Sequence, residues 1–150
     1  MQLKSFIYGG IDGIITISAV IASIEGVKLD AKYILSITIS VLLTGALSMG
    51  IADYLSSKTE TPHDTAITNG ITTSISFIVF GVMPLLFYTI IHKYGINPLR
   101  GMVLTTAVAF FILGSIQSKY TGDTWYKTGA ITTAYGTGTS VLAYLISSSL

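Results

Sequence analysis

Long hydrophobic stretches alternate with short polar segments along the chain. Four stretches without Asp, Glu, Lys, Arg or His run over residues 33–52, 66–91, 101–118 and 128–150. A helix rises 1.5 Å per residue, so about 20 apolar residues cross a hydrocarbon core about 30 Å thick. The pattern therefore predicts four membrane-spanning helices directly.

The N-terminal stretch is also long enough to span, but it contains an acid. Ser5–Ile24 is interrupted by Asp12, and the remainder, Gly13–Ile24, is too short to cross a membrane. Either Asp12 lies within a first span, or no first span exists. A signal peptide with Lys4 in its positive segment is the alternative, but Asp12 and the flanking glycines disfavour it.

We therefore predict an all-α integral membrane protein with a single transmembrane domain over residues 1–150 and five transmembrane helices. The connections between the spans are too short to hold a soluble domain. The predicted spans are about Ser5–Ile24, Tyr33–Leu55, Ile71–Ile91, Leu99–Ser118 and Gly129–Ser147.

Composition and charge narrow the function classes. Charged residues make up 10% of the chain, hydrophobic residues 51%, and the formal net charge is +1. These values disfavour a disordered chain and a nucleic-acid binder. The absence of cysteine excludes thiolate metal sites. No Ser–His–acid set, phosphate-binding loop or paired histidine motif indicates an enzyme, and no cofactor is expected.

Loop charges do not decide the orientation. With the N-terminus inside, each side of the membrane carries four basic residues, so the positive-inside rule does not choose. The inner set is Lys4, Lys58, Lys119 and Lys127, and the outer set is Lys28, Lys32, Lys93 and Arg100.

Asp12 is the first candidate for function. A carboxylate at membrane depth costs about 2.5–3.5 kcal/mol on insertion scales, so it is a functional hypothesis by default. The structural alternative is that Asp12 and Gly13 form a turn in which Asp12 caps a helix. In that alternative the helix would cover only Gly13–Ile24, which is too short to span a membrane.

Hairpin geometry brings two further side chains toward Asp12. If the first two spans are antiparallel, the depths of Asp12 and Met49 differ by about 6 Å, close to one helical turn. Asp53 follows Met49 by four residues and shares its helix face. Two carboxylates with a thioether favour a borderline transition metal. Ordinary packing for Met49 and solvation at the span end for Asp53 are the alternatives.

Other features have simpler interpretations. Small residues in the second and last spans allow close helix contacts, either within the chain or between copies. Pro84 predicts a kink in the third span. Gln117 and Lys119 can reach the interface by snorkelling.

Several motifs resemble the vacuolar iron transporter family, which includes manganese transporters. Residues 8–16 (YGGIDGIIT) are similar to its first-span signature, and residues 45–56 (GALSMGIADYLS) to its second-span signature. Residues 81–88 (GVMPLLFY) resemble its third span, with weaker similarity in the last two. The resemblance covers nearly the whole chain in the same order.

The resemblance implies a proton-coupled exporter of Fe²⁺ or Mn²⁺ from the cytoplasm. It implies a homodimer with its pathway at the dimer interface and a cytoplasmic N-terminus. The family's first-span Asp and second-span Met match Asp12 and Met49. Its second-span Glu matches Asp53, which is one methylene shorter.

The connection between the second and third spans departs from the family. The family usually carries a Glu-rich metal-binding module between these spans, and this chain has only Ser56–Asn69 there. The chain therefore resembles a short form of the family that lacks the module. Glu60 and His63 are three residues apart, but Pro62 disfavours a helical metal site and favours a solvated loop. Two other functions stay open: a non-transporting membrane scaffold for a metal-handling partner, and a small proton-coupled exporter of organic cations.

Overall fold

The computed structural model describes residues 2–95 and 97–149, which form α-helices joined by short turns. The predicted all-α class is confirmed. The helices are α1 (Gln2–Gly26), α2 (Ala31–Ser57), α3 (His63–Lys93), α4 (Pro98–Thr121) and α5 (Trp125–Ser148).

Helix α1 lies at the centre of the bundle and contacts each of the other four helices. Helices α2 and α3 pack together against it, as do α4 and α5, and α3 also contacts α4. Within the described part of the chain, α2 contacts neither α4 nor α5. The hydrophobic stretch after Lys4 is thus the core of the bundle, and Asp12 belongs to the central helix.

Successive helices run in opposite directions, so the turns alternate between two ends. The end that holds the start of α1, the α2–α3 turn and the α4–α5 turn is called the N end. The opposite end holds the α1–α2 and α3–α4 turns and is called the far end. Contacts between Gly9 and Thr73 and between Gly26 and Ser147 show that α1 is parallel to α3 and α5.

In the part of the chain that the structure describes, four helices are long and apolar enough to cross a membrane. They include the stretch with Asp12, so a first span is confirmed by length and composition. The four segments are Leu3–Gly26, Lys32–Ser57, His63–Lys93 and Leu99–Lys119. The predicted fifth span, Gly129–Ser147, is a helix, but it is not among these four because glycine, serine and threonine dilute its hydrophobic residues.

The turn between α2 and α3 is shorter than the sequence indicates. The predicted connection Ser56–Asn69 is largely helical, because α2 continues to Ser57 and α3 already begins at His63. Pro62 occupies the position before α3, where a missing backbone N–H costs no hydrogen bond. Glu60 and His63 are both exposed, as a solvated connection predicts. Helix α3 continues through Pro84 to Lys93.

Glycines let the helix backbones touch. A Cβ atom at Gly9 or Gly13 would overlap the backbone carbonyl of Thr73 or Phe77 on α3. A Cβ at Gly70 would come within 2.6 Å of the Gly50 carbonyl oxygen on α2. In the second span Gly50 lies against α3, and in the last span Gly136 lies against Phe110 on α4, so packing within the chain, one of the two expectations for the small residues of these spans, is confirmed for these two.

Candidate cation site at the N end of the bundle

Asp12 lies within α1 and is half-buried, so it does not cap a helix. It lines a cavity of about 580 Å³ between α1 and α4, called the Asp12 cavity. Gln117 and Thr121 form the α4 side of this cavity. The α1 side is mostly apolar, with Lys4, Ile7, Tyr8, Ile11 and Ile15. Asp12 and Lys4 are thus the charged groups on its wall.

Asp53 lines a second cavity, of about 320 Å³, called the Asp53 cavity. Ala52 and Ser56 on α2 and Ser5 on α1 complete part of its wall. Lys4 and Tyr8 line this cavity and the Asp12 cavity alike. The two carboxylates therefore face adjoining spaces on either side of one pair of α1 side chains.

Two hydroxyl groups hold the Asp53 carboxylate. Thr73 on α3 donates to Oδ2 at 2.5 Å, and Ser57, one turn further along α2, donates to Oδ1 at 3.3 Å. The Thr73 hydroxyl also lies 3.3 Å from the carbonyl oxygen of Ser5 on α1. Asp53 is half-buried, and both of its oxygens are engaged, so its orientation is fixed by α3 as well as by its own helix.

Asn69 extends this polar group into the bundle. Its side chain is only 2% exposed, and its Nδ2 donates to Ser57 Oγ at 3.1 Å. Its Oδ1 has no hydrogen-bond partner among the described residues. Asn69, Ser57, Asp53 and Thr73 thus form one connected group of oxygen-rich side chains between α2 and α3.

Met49 occupies a different environment from the two carboxylates. It is partly buried and packs against the hydrophobic core cluster that includes Ile17, Ala46 and Phe77. Its side chain lines neither the Asp12 cavity nor the Asp53 cavity. The structure therefore gives Met49 a packing role, and its role as a metal ligand stays a prediction.

A third cavity, of about 400 Å³, continues from the Asp12 cavity toward the α4–α5 turn. Ile11, Ile15 and Gln117 line both spaces, and Asp123 and Lys127 provide charge in the third. Gln117 is half-buried and lines both of these cavities.

At the far end, α1 and α3 are joined by a hydrogen bond from the Tyr88 hydroxyl to the Glu25 carboxylate. Tyr88 is buried, and its ring stacks on His92 with a centroid distance of 6.2 Å. Ile21 and Ile24 lie in the same hydrophobic cluster as Tyr88. At the far end α1 and α3 are therefore packed tightly against each other, whereas the cavities of Asp12 and Asp53 lie toward the N end.

The donor set at the N end is dominated by hard oxygen atoms. Carboxylates, hydroxyls and an amide oxygen are ligands for divalent cations, and a thioether would add softer character. Among residues 2–95 and 97–149, no group of three His, Asp or Glu side chains is gathered as a metal site. Asp12 and Asp53 line different cavities, so a cation at this end would meet one carboxylate in each.

Sequence reasoning did not identify Lys4, Tyr8, Asn69 or Thr73 as part of this site. Helical spacing carries a signal for them. Lys4 and Tyr8 precede Asp12 by eight and four residues, and Asn69 and Thr73 are four apart, so each set shares a helix face. Which neighbouring helix that face meets is not contained in the spacing.

Comparison with known proteins agrees with the resemblance in the sequence. A sequence model of the VIT family matches residues 3–69 and 60–148. A protein of Toxoplasma gondii (strain ATCC 50861 / VEG) named vacuolar iron transporter is 38% identical over 58 residues, which are 39% of this chain and 19% of that protein. A protein of the same name from Plasmodium falciparum (isolate 3D7) is 40% identical over 59 residues, 39% of this chain and 22% of that protein. The matched segment thus spans about a fifth of the length of these relatives.

Proposed function

Because the chain belongs to the VIT family, we propose that it is a membrane transporter that exports Fe²⁺ or Mn²⁺ from the cytoplasm in exchange for protons. The observation that carries the proposal is the pair of half-buried carboxylates, Asp12 and Asp53, in adjoining cavities at one end of a bundle of long apolar helices. The transporter name of the relatives favours transport over an enzymatic activity.

In the proposed mechanism the ion enters from the N end, which faces the cytoplasm. Asp53 receives the cation, with Thr73 and Ser57 holding the carboxylate in place. Asp12 lies deeper along α1 and takes the ion next, and Met49 contributes a soft ligand once the helices move. A proton and a metal ion compete for the same carboxylate oxygens, so protonation from the far side releases the ion.

The exposure of the Asp12 side of α1 supports a homodimer. Asp12 is only half-buried within one chain, and a carboxylate in contact with hydrocarbon is costly. A second copy placed against the Asp12 cavity would remove that contact and supply a second set of ligands. We therefore propose that the pathway runs between two copies of the chain.

Helix α5 is the proposed fifth span. Its 24 residues would extend about 36 Å at 1.5 Å per residue. Its threonine hydroxyls bond to carbonyls one turn earlier, as Thr133 does to Gly129 and Thr137 to Thr133, at 2.8 and 2.6 Å. Satisfied hydroxyls lower the cost of placing such a helix in lipid.

The test is metal uptake into proteoliposomes that contain only the purified protein. Fe²⁺ and Mn²⁺ are supplied outside acid-loaded vesicles, with ion uptake and internal pH followed together. The Asp12→Asn variant should lose uptake and remain folded. Asp30→Asn, which makes the same charge change in the exposed α1–α2 turn, is the matched control and should transport normally. Full transport by Asp12→Asn would refute the proposal, as would uptake without proton movement for the antiport step.

One observation favours a second candidate, the export of organic cations. The wall of the Asp12 cavity is mostly apolar, with Ile7, Ile11 and Ile15 beside a single carboxylate. An apolar wall with one carboxylate can bind a hydrophobic organic cation, which contacts the wall directly and places its charge beside Asp12. Competition decides between them: a lipophilic cation that is itself taken up in the absence of any metal uptake would support the second candidate.

A further inference from the structure

Lys4 lies on the wall that separates the two carboxylate cavities. It is in the first two turns of α1, it is exposed, and it lines the cavity of Asp12 and the cavity of Asp53. Tyr8 and Asp12 follow it on the same helix face, one and two turns later. The Lys4 side chain thus lies at the N end of both cavities, on the side from which the proposed cation enters.

We propose that the ammonium group of Lys4, on the wall shared by the two cavities, weakens the binding of a divalent cation to Asp12 and Asp53 and moves away from them when the ion enters. The inference rests on the proposed transport function and adds a residue that tunes the affinity of the site. The positive charge reduces the negative potential that the two carboxylates present to a cation, so it opposes binding of the substrate without forming an ion pair.

Charge arithmetic gives the direction of the effect. The two carboxylates and Lys4 together carry a charge of −1, which becomes +1 when a divalent cation enters. Without Lys4 the site would carry −2 and would become neutral with the ion bound. Because Coulomb attraction grows with the charge of the site, Lys4 weakens binding of the metal. A transporter gains from this, since an ion held too tightly is released slowly.

Lys4 is free to move when an ion enters. The ion pair present in the described part of the chain joins Lys32 to Asp30, and Lys4 is within 4.0 Å of neither carboxylate. A lysine carries its charge on a flexible four-carbon stem. The ammonium group can therefore move between the two cavities and retreat when a metal ion arrives, without breaking a fixed salt bridge.

The first test measures the affinity of the purified 150-residue chain for Mn²⁺ in lipid nanodiscs by calorimetry. Removal of the charge in Lys4→Gln should lower Kd for Mn²⁺ roughly tenfold. It should also slow turnover in proteoliposomes, because release becomes limiting. Lys4→Arg keeps the charge and should keep Kd near that of the wild type. Lys32→Gln removes the same charge at the far end and is the matched control, with no expected change in Kd.

A second measurement uses the wild-type protein and does not depend on any variant folding. Displacement of the ammonium group by Mn²⁺ should raise the acylation rate of Lys4 by an amine-reactive reagent, relative to Lys32, as read by mass spectrometry. A Lys4 that only reaches toward lipid headgroups would show equal acylation with and without Mn²⁺, and Lys4→Gln would then bind Mn²⁺ like Lys32→Gln. Either result overturns the inference and leaves the proposed function standing. Absence of saturable Mn²⁺ and Fe²⁺ binding in the wild type overturns the proposed function itself.

Discussion

The hydroxyl of Thr73 on α3 donates a 2.5 Å hydrogen bond to the carboxylate of Asp53 on α2. The same hydroxyl lies 3.3 Å from the Ser5 carbonyl oxygen, so one side chain touches three helices at the N end. The orientation of Asp53 therefore depends on the packing of α1, α2 and α3 together. Any movement of α3 relative to α2 changes how Asp53 meets a cation.

Thr73→Val removes this hydrogen bond and keeps the shape of the side chain. We expect a loss of about 1 kcal/mol in the stabilisation of the Asp53 site, as for other hydrogen bonds between membrane helices. The result would be a several-fold higher KM for the transported ion. Thr72→Val is the control, because the Thr72 hydroxyl donates to the Thr68 carbonyl of its own helix and to no other helix among the described residues. An unchanged KM in Thr73→Val would show that Asp53 is positioned by other groups.

Met49→Leu separates the two roles considered for Met49. Leucine fills a similar volume, so packing against the core should cost less than about 1.5 kcal/mol. If the sulfur binds the ion, loss of about 1.4 kcal/mol raises KM about tenfold. Met83→Leu, which changes a methionine packed against the second core cluster, is the matched control. Equal transport kinetics in the two variants would assign Met49 to packing alone.

Gly13→Ala tests the backbone contact at the crossing of α1 and α3. The added Cβ would overlap the Phe77 carbonyl, so the helices must separate at a cost of about 1–3 kcal/mol. Thermal unfolding in detergent should report a clear drop in Tm. Gly138→Ala is the matched control, since no atom lies within 4 Å of the added Cβ in the described structure. A similar Tm in both variants would contradict the close contact.

Tyr88→Phe removes the hydrogen bond that joins α1 to α3 at the far end. The Glu25 carboxylate loses its donor, and we expect a destabilisation of about 1–3 kcal/mol. Hydrogen exchange should accelerate in the last turns of α1. Tyr94→Phe removes a hydroxyl from a side chain that is 75% exposed and should leave exchange unchanged. If α1 in Tyr88→Phe is protected from exchange as well as in the wild type, the Tyr88–Glu25 hydrogen bond does not hold α1 to α3 at this end.

The hydrophobic pattern predicted the helices well, but it misplaced a helix boundary where the start of a helix is polar. Residues 33–52 and 101–118 lie within helices that are apolar enough to span a membrane. Sequence alone predicts such helices because hydropathy is summed over residues that are adjacent in the chain. The pattern also placed Asp12 correctly within a first span. It ended the α2–α3 connection too late, since the polar start of α3 from His63 onward is helical although it is not hydrophobic.

The family was also accessible from sequence, because its motifs are contiguous. Residues 8–16 and 45–56 carried the resemblance, and the family match over most of the chain confirms it. The candidate ligands Asp12, Met49 and Asp53 came from the same segments. Their roles remain predictions, although the structure brings Lys4 and Tyr8 between the two acids.

The sequence by itself determined the number and class of the helices, because each follows from residues adjacent in the chain. Only the tertiary structure decided that Thr73 meets Asp53, that Met49 packs in the core, and that glycines on α1 touch α3. Those contacts depend on the rotation of each helix about its axis. In lipid, hydrophobicity does not select that rotation, because the surrounding hydrocarbon is as apolar as leucine, and close packing and hydrogen bonds between helices set it instead.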